Sequence, residues 1–176
     1  FKAVEAGGVF IVEITAQKDF SVEVEADDNL LPFIKTELDG ETLKIKTIEK
    51  FSTRSPIRVR ISAPDIENLE ISGASKFFVS NLANDSFHID SSGASKISIE
   101  GVSKNLTVDM SGASKLNAEN LTAENVSVDA SGASRATVSV VNNLKADLSG
   151  ASKVVYYGNP INIEKKTSGA SSVIGK

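Results

Sequence analysis

Apolar and polar residues alternate along most of the chain in short runs. Residues 9–14 and 56–61 form two such runs, and residues 33–47 contain two more on either side of Asp39 and Gly40, a pair that favours a tight hairpin turn. A period of two in segments rich in β-branched residues predicts half-buried β-strands. No segment shows the 3.6-residue period of an amphipathic helix. The sequence therefore predicts an all-β protein.

A repeat dominates the second half of the chain. The tetrad Ser-Gly-Ala-Ser occurs six times, and its glycines are separated by 20, 19, 20, 18 and 19 residues. These glycines are Gly73, Gly93, Gly112, Gly132, Gly150 and Gly169. Each unit has an alternating stretch after the tetrad, then a polar bend, then a second alternating stretch. A near-constant period of this length is typical of stacked repeats that cover one another's apolar faces.

Two strands and a small-residue corner in about 19 residues fit one coil of a parallel β-solenoid, in which successive coils lie about 4.8 Å apart. A sandwich of hairpins also uses short alternating strands, but it does not require the same tetrad in every unit. We therefore expect a parallel β-helix or solenoid in a single domain over residues 1–176. Residues 72–176 would supply six repeat coils, and residues 1–71 an N-terminal β cap or irregular first coils.

The tetrad has a mechanical interpretation. Glycine suits a corner where φ must be positive or where a side chain would clash. Strict alternation across the corner would turn the second serine of each tetrad inward, where aligned hydroxyls could donate from coil to coil. A corner that reverses the parity would turn the alanines inward instead, and the sequence leaves both arrangements open. A serine nucleophile would need a base within reach, and His88 is the only histidine, so we interpret the serines as structural.

Two charged columns flank the tetrads. A basic residue follows each of the first five tetrads, and an acidic residue stands two places before each of them. The basic column is Lys76, Lys96, Lys115, Arg135 and Lys153, and the acidic column is Glu70, Asp90, Asp109, Asp129 and Asp147. If the corner brings the columns together, acids and bases can pair, with about 0–1 kcal/mol for each exposed pair. The functional alternative makes the basic column a ligand-binding edge for an anionic glycan or another surface.

Two smaller features also allow more than one interpretation. Arg58 and Arg60, with Arg54 nearby, form either a small basic patch or the solvated face of a strand. Tyr156 and Tyr157 could stack on a sugar ring if exposed, or fill the end of the solenoid as a bulky plug.

Composition narrows the chemistry further. The 176 residues are 40% hydrophobic and 24% charged, which is typical of a globular protein, and no apolar run reaches the roughly 18–20 residues of a membrane span. A net charge of −4 argues against a nucleic-acid partner. The absence of cysteine excludes disulfides, thiolate catalysis and cysteine-ligated metals. The acids are spread one to a coil, whereas a tight calcium site usually takes its ligands from one loop, so we expect neither a metal nor another cofactor.

With these residues in view, the chain resembles the family called putative auto-transporter adhesin, head GIN domain. The resemblance lies in the Ser-Gly-Ala-Ser-Lys units, the opening strand to Ile14, the Ala63-Pro64 pair and the Tyr157-Gly158-Asn159-Pro160 segment. It implies a right-handed parallel β-helix in secreted or envelope-anchored proteins, largely of Bacteroidetes-type bacteria, with no firmly assigned activity. Such proteins usually begin with a signal peptide, often of lipoprotein type. We therefore expect an extracytoplasmic location, in the periplasm or at the cell surface, and leave lipid anchoring open.

Two hypotheses about function follow. In the first, the protein is a non-enzymatic adhesive or scaffolding module that binds a cell-surface glycan, a protein or another copy of itself. In the second, it is a polysaccharide lyase or hydrolase, since β-helices host such enzymes. An enzyme of that kind brings two carboxyl groups together in one groove. Because the acids here are spaced evenly along a column, the sequence favours the binding module.

Overall fold

The computed structural model describes all 176 residues, and its regular secondary structure consists of β-strands and one 3-10 turn at Leu31–Phe33. The strands are β1 (Ala3–Gly8), β2 (Ile11–Ala16), β3 (Ser21–Glu25), β4 (Ile34–Asp39), β5 (Thr42–Thr47), β6 (Arg58–Ala63), β7 (Asn68–Gly73), β8 (Lys76–Ser91), β9 (Lys96–Met110), β10 (Lys115–Ala130), β11 (Arg135–Leu148), β12 (Lys153–Tyr157), β13 (Asn162–Thr167) and β14 (Ser172–Gly175). None of the structure's helical turns has the length and hydrophobicity needed to cross a membrane.

The strands stack as parallel coils, which confirms the predicted β-solenoid. Segments that precede a corner pair with one another in the order β5, β1, β7, the second halves of β8 to β11, and β13; we call this layer the pre-corner sheet. Segments that follow a corner pair in the order β6, β2, the first halves of β8 to β11, β12 and β14, and form the post-corner sheet. Alternate side chains of both sheets meet in one apolar core. A sandwich of hairpins is excluded, because all coil-to-coil pairing is parallel.

The N-terminal strands lie inside the stack rather than at its end. Strand β1 lies between β5 and β7, and β2 lies between β6 and β8, so residues 3–16 form a coil beneath the first tetrad coil. The coil formed by β5 and β6 lies below that one. Strands β3 and β4 pair antiparallel with β6 and β5 at this lower end of the stack. Residues 1–71 therefore supply two irregular coils and, below them, an antiparallel edge.

In β8 to β11 the polar bends do not separate strands, which corrects the expectation of two short strands per coil, whereas the turn between Tyr157 and Asn162 does separate β12 from β13. Strands β8 to β11 each run through the bend for 14 to 16 residues. Their register with the neighbouring coil shifts at the bend, as between Val79 and Leu82. Asn81 turns the chain there with a φ of 58°, and Gly101 does so with a φ of 137° in the next coil. The bend is thus a local irregularity inside a continuous strand.

The tetrad glycines form a file along the corner of the stack. All six have positive φ values between 68° and 96°, and a Cβ on each would overlap the carbonyl oxygen of the glycine in the coil below. Gly8 begins this file, because it lies beneath Gly73 in the same way. Residues 7–10 therefore form a tetrad-like corner that carries Phe10 where the later coils carry the second serine.

The second serine of each tetrad faces inward. Ser75, Ser95, Ser114, Ser134 and Ser152 are buried, Ser171 is half-buried in the last coil, and the alanines of the tetrads are exposed. Hydroxyl-to-hydroxyl donation does not link these serines to one another, although Ser91 Oγ donates to Ser114 Oγ at 2.9 Å. Ser75 Oγ instead donates to the Gly8 carbonyl at 3.1 Å, and Ser95 Oγ to the Gly73 carbonyl at 3.3 Å. The left-handed glycine points its carbonyl at the next coil, and a carbonyl oxygen has a second lone pair beside the one used by the backbone N–H.

Candidate functional site

The five residues of the basic column share one register position on consecutive strands of the post-corner sheet. Lys96 pairs with Lys76 below and Lys115 above, and Arg135 and Lys153 continue the column upward. The first four side chains are exposed and Lys153 is half-buried. None of the five forms a salt bridge within the protein. The column is therefore a line of unpaired cations at the spacing of the coils.

The acidic column lies on the other sheet, across the corner. Its members share one register position on the pre-corner sheet, where Glu5 extends the column downward and Lys166 follows at its upper end. Within 4.0 Å, Glu5 meets Lys44 at 3.7 Å and Asp109 meets His88 at 3.5 Å. No acid of this column pairs with the basic column. The pairing considered from the sequence does not form, because the corner places the two columns on different sheets.

Lys44 marks the lower end of the acidic column. Its Nζ lies 2.8 Å from an Asp39 carboxylate oxygen, and Glu5 is its neighbour on β1. The hydrogen bond and the charge of Asp39, followed by the charge of Glu5, raise the pKa of the Lys44 ammonium above its ordinary value. Lys44 on the lower coil thus places a positive charge at the lower end of the acidic column, where the contact with Asp39 holds it.

The arginines near the lower end are neutralised. Arg58 and Arg60 contact the two carboxylate oxygens of Glu13 at 3.2 and 3.3 Å, and Arg60 also contacts Glu25 at 3.0 Å. These residues lie side by side on β6, β2 and β3. The region is therefore a charge-paired strand face, and the basic patch considered for Arg58 and Arg60 does not form.

The two tyrosines point to opposite sides of β12. Tyr156 packs against the core, with the ammonium of Lys165 5.4 Å from its ring centroid. Tyr157 pairs with Ser139 on the outer surface and is half-buried. Tyr156 thus fills the upper end of the stack beneath Gly175, where a Cβ would collide with the ring.

A ladder of asparagines runs along the pre-corner sheet and was missed as a feature by sequence reasoning. The side-chain amide of Asn125 donates to Asn105 Oδ1 at 3.0 Å, Asn143 donates to Asn125 at 2.6 Å, and Asn162 donates to Asn143 at 2.8 Å. Each of these residues stands six places before a tetrad, so the signal was available at a fixed offset. Stacked amides of this kind stabilise in-register parallel strands.

The comparison with known families settles the classification. The sequence model of the family described as putative auto-transporter adhesin, head GIN domain, matches residues 1–160. The chain belongs to this family. The resemblance carried by the tetrads is thereby confirmed. A search of curated proteins finds no significant match.

Solved structures share the GIN-domain fold of this chain. A putative adhesin from Bacteroides fragilis superposes with a TM-score of 0.80 at 18% identity, covering 100% of this chain and 92% of that one. A putative adhesin from Parabacteroides merdae superposes with a TM-score of 0.53 at 14% identity, again covering 100% and 92%. At these identities the likeness concerns the fold. In this GIN domain, the post-corner sheet presents the basic column as a line of cations without salt-bridge partners.

Proposed function

We propose that this GIN domain is a non-enzymatic extracytoplasmic binding module whose basic column contacts a linear anionic polymer, such as an acidic glycan of a cell surface. The observation that carries the proposal is the column itself, with five cations in register and none of them in a salt bridge. The adhesin-type family supports an extracytoplasmic location and a role in attachment.

The geometry of the column suits an extended ligand. Parallel strands in a sheet are about 4.8 Å apart, so a polymer that runs along the stack meets one cation in each coil. Two exposed like charges at this distance repel by about 1 kcal/mol in water. A bound polyanion would relieve this repulsion. It would not have to compete with a carboxylate of the protein, because none of the five cations forms a salt bridge. Contacts between exposed charges are weak individually, so useful affinity would come from several coils acting together.

The enzymatic alternative is less well supported. Glycoside hydrolysis needs two carboxyl groups that face each other across one bond of the substrate. Here the carboxylates of the acidic column lie one above another on a single sheet, and no group of three or more such residues is arranged to hold a metal ion. A binding role requires only the exposed surface that the post-corner sheet provides.

The test compares binding of polygalacturonate and of neutral dextran to the protein on a biosensor at several salt concentrations. We expect binding of polygalacturonate that weakens as the salt concentration rises, and no salt-sensitive binding of dextran. The double variant Lys96→Glu and Lys115→Glu should weaken it about 30-fold, from two contacts of about 1 kcal/mol each.

The matched control is Lys18→Glu with Lys145→Glu. It makes the same change in net charge at two exposed lysines that form no salt bridge and lie outside the basic column. Equal loss of binding in both double variants would show that binding depends on net charge alone and would refute a role for the basic column. Undiminished binding in the Lys96 and Lys115 variant would do the same.

A further inference from the structure

A groove crosses the post-corner sheet where one coil is shorter than its two neighbours. The coil from Gly93 to Gly112 spans 19 residues, whereas the coils below and above it span 20. The extra residues lie at the bends of β8 and β10, where the register with β9 shifts between Val79 and Leu82 and between Asn117 and Asn120. Such bulges redirect side chains and are frequent beside binding sites. The short strand segment that ends at Glu100 therefore lies between two longer ones.

The groove has the size and lining of a subsite for a small polar ring. Its volume is about 240 Å³, and its outward-facing lining combines one aromatic ring with hydroxyl, amide and carboxylate groups. The outward-facing residues are Phe78, Ser80, Ser98, Glu100, Asn117 and Asn120. Phe78 is 48% exposed, which leaves a flat apolar surface open to solvent on the wall of the groove.

Most of the polar groups around Phe78 are free to meet a ligand. Ser98, Glu100 and Asn120 make no side-chain hydrogen bond or salt bridge within the protein. Asn117 Oδ1 accepts the backbone N–H of Glu119 at 3.2 Å, which holds the side chain in place and leaves its two amide hydrogens as donors. The groove thus offers a carboxylate acceptor and amide donors around an aromatic ring.

This combination matches the chemistry of a pyranose sugar. A pyranose presents a face of C–H groups, which packs on an aromatic ring, and a rim of hydroxyls, which both donate and accept hydrogen bonds. Lys76 and Lys96 stand two residues before Phe78 and Ser98 on the same sheet, so the basic column runs beside the groove. A sugar in the groove could therefore place an acidic substituent against the column.

We propose that the groove at Phe78 is a saccharide subsite that holds one pyranose ring. Phe78 packs against the ring, Glu100 accepts hydrogen bonds from its hydroxyls, and Asn117 and Asn120 donate to them. This inference rests on the proposed function, because one sugar of the glycan that lies along the basic column is the ring that occupies the groove. The subsite itself recognises the ring and not the charge.

The experiment titrates the protein with tetrasaccharides of glucose, galactose, N-acetylglucosamine and galacturonate while recording amide chemical shifts by nuclear magnetic resonance. We expect at least one of them to shift the amides of residues 78, 98, 100, 117 and 120 together. Phe78→Ala should weaken that binding about tenfold, from the loss of the aromatic contact, and Asn120→Ala about fivefold, from the loss of one hydrogen bond. The control is Val141→Ala, which removes a side chain of equal fractional exposure that lies outside the groove and should leave affinity unchanged.

Absence of these shifts with all four tetrasaccharides, or equal affinities for the Phe78 and Val141 variants, would overturn the subsite. Melting curves establish that each variant is folded, and Glu100→Gln provides a further variant that changes no volume. Failure of the subsite is distinguishable from failure of the basic column. If Phe78→Ala leaves polygalacturonate binding intact, the subsite is refuted and the basic column is not. If a neutral tetrasaccharide binds and polygalacturonate does not, the basic column is refuted and the subsite is not.

Discussion

Replacement of Gly112 by alanine tests the close approach of the coils at the corner. Gly112 has a φ of 78°, and a Cβ there would overlap the carbonyl oxygen of Gly93, which also accepts the N–H of Ala113 at 2.8 Å. A positive φ costs a residue with a Cβ about 1–2 kcal/mol, and a backbone shift that relieves overpacking costs about 1–3 kcal/mol. We expect the free energy of unfolding to fall by about 3 kcal/mol. For a chain of this length, the melting temperature should then fall by about 10 °C.

The matched control is Gly40→Ala in the hairpin between β4 and β5. Gly40 has a φ of 62°, but no atom lies within 4 Å of a Cβ built there. This variant therefore carries the backbone strain without the collision, and it should lose about 1 kcal/mol. Thermal and urea unfolding of both variants measure the difference. Equal losses would show that the glycine file is explained by φ alone and would refute the argument from coil spacing.

Two further pairs of substitutions probe the polar groups inside and beside the stack. Ser75→Ala should lower the free energy of unfolding in urea by about 1–3 kcal/mol, because Ser75 Oγ accepts the buried N–H of Phe10 at 3.1 Å and donates to the Gly8 carbonyl. Ser152→Ala should be nearly neutral, because the buried Ser152 Oγ has no hydrogen-bond partner. Similar losses for the two variants would contradict this. Asn125→Ala removes two ladder bonds and should cost about 1–2 kcal/mol, against about half for Asn162→Ala at the end of the ladder. Unchanged stability of the Asn125 variant would show that the ladder only accompanies the fold.

The repeat made most of the architecture predictable. In a parallel stack, residues at the same offset from the corner lie in the same column, so a constant spacing in the sequence becomes register in space. Lys96 and Lys115 could be assigned to one column from the tetrad alone. Whether the basic and acidic columns would meet could not be deduced, because that depends on how far the corner separates the two sheets. The neutralisation of Arg58 by Glu13 was equally hidden, since the two residues are 45 positions apart in the chain.

The first 71 residues were the least predictable part of the fold. Residues 7–10 form a corner without the Ser-Gly-Ala-Ser tetrad, so no repeat signal revealed their place beneath Gly73. The groove at Phe78 was also overlooked, although the spacings of 20, 19 and 20 between glycines were visible. A coil that is one residue shorter than its neighbours indicates a groove only when the positions of the bulges in the neighbouring strands are known.

The internal placement of β1 and β2 has a consequence for the order in which the molecule is assembled. The segment at residues 3–16 leaves a ribosome or a translocation channel before either of its partners, residues 42–63 and residues 68–80. It stays unpaired until residues 42–63 have emerged, and residues 68–80 can then pair with its other edge. Removal of this segment would not shorten the solenoid from one end. It would delete a coil from the middle of the stack and leave the coils above and below it without their common pairing partner.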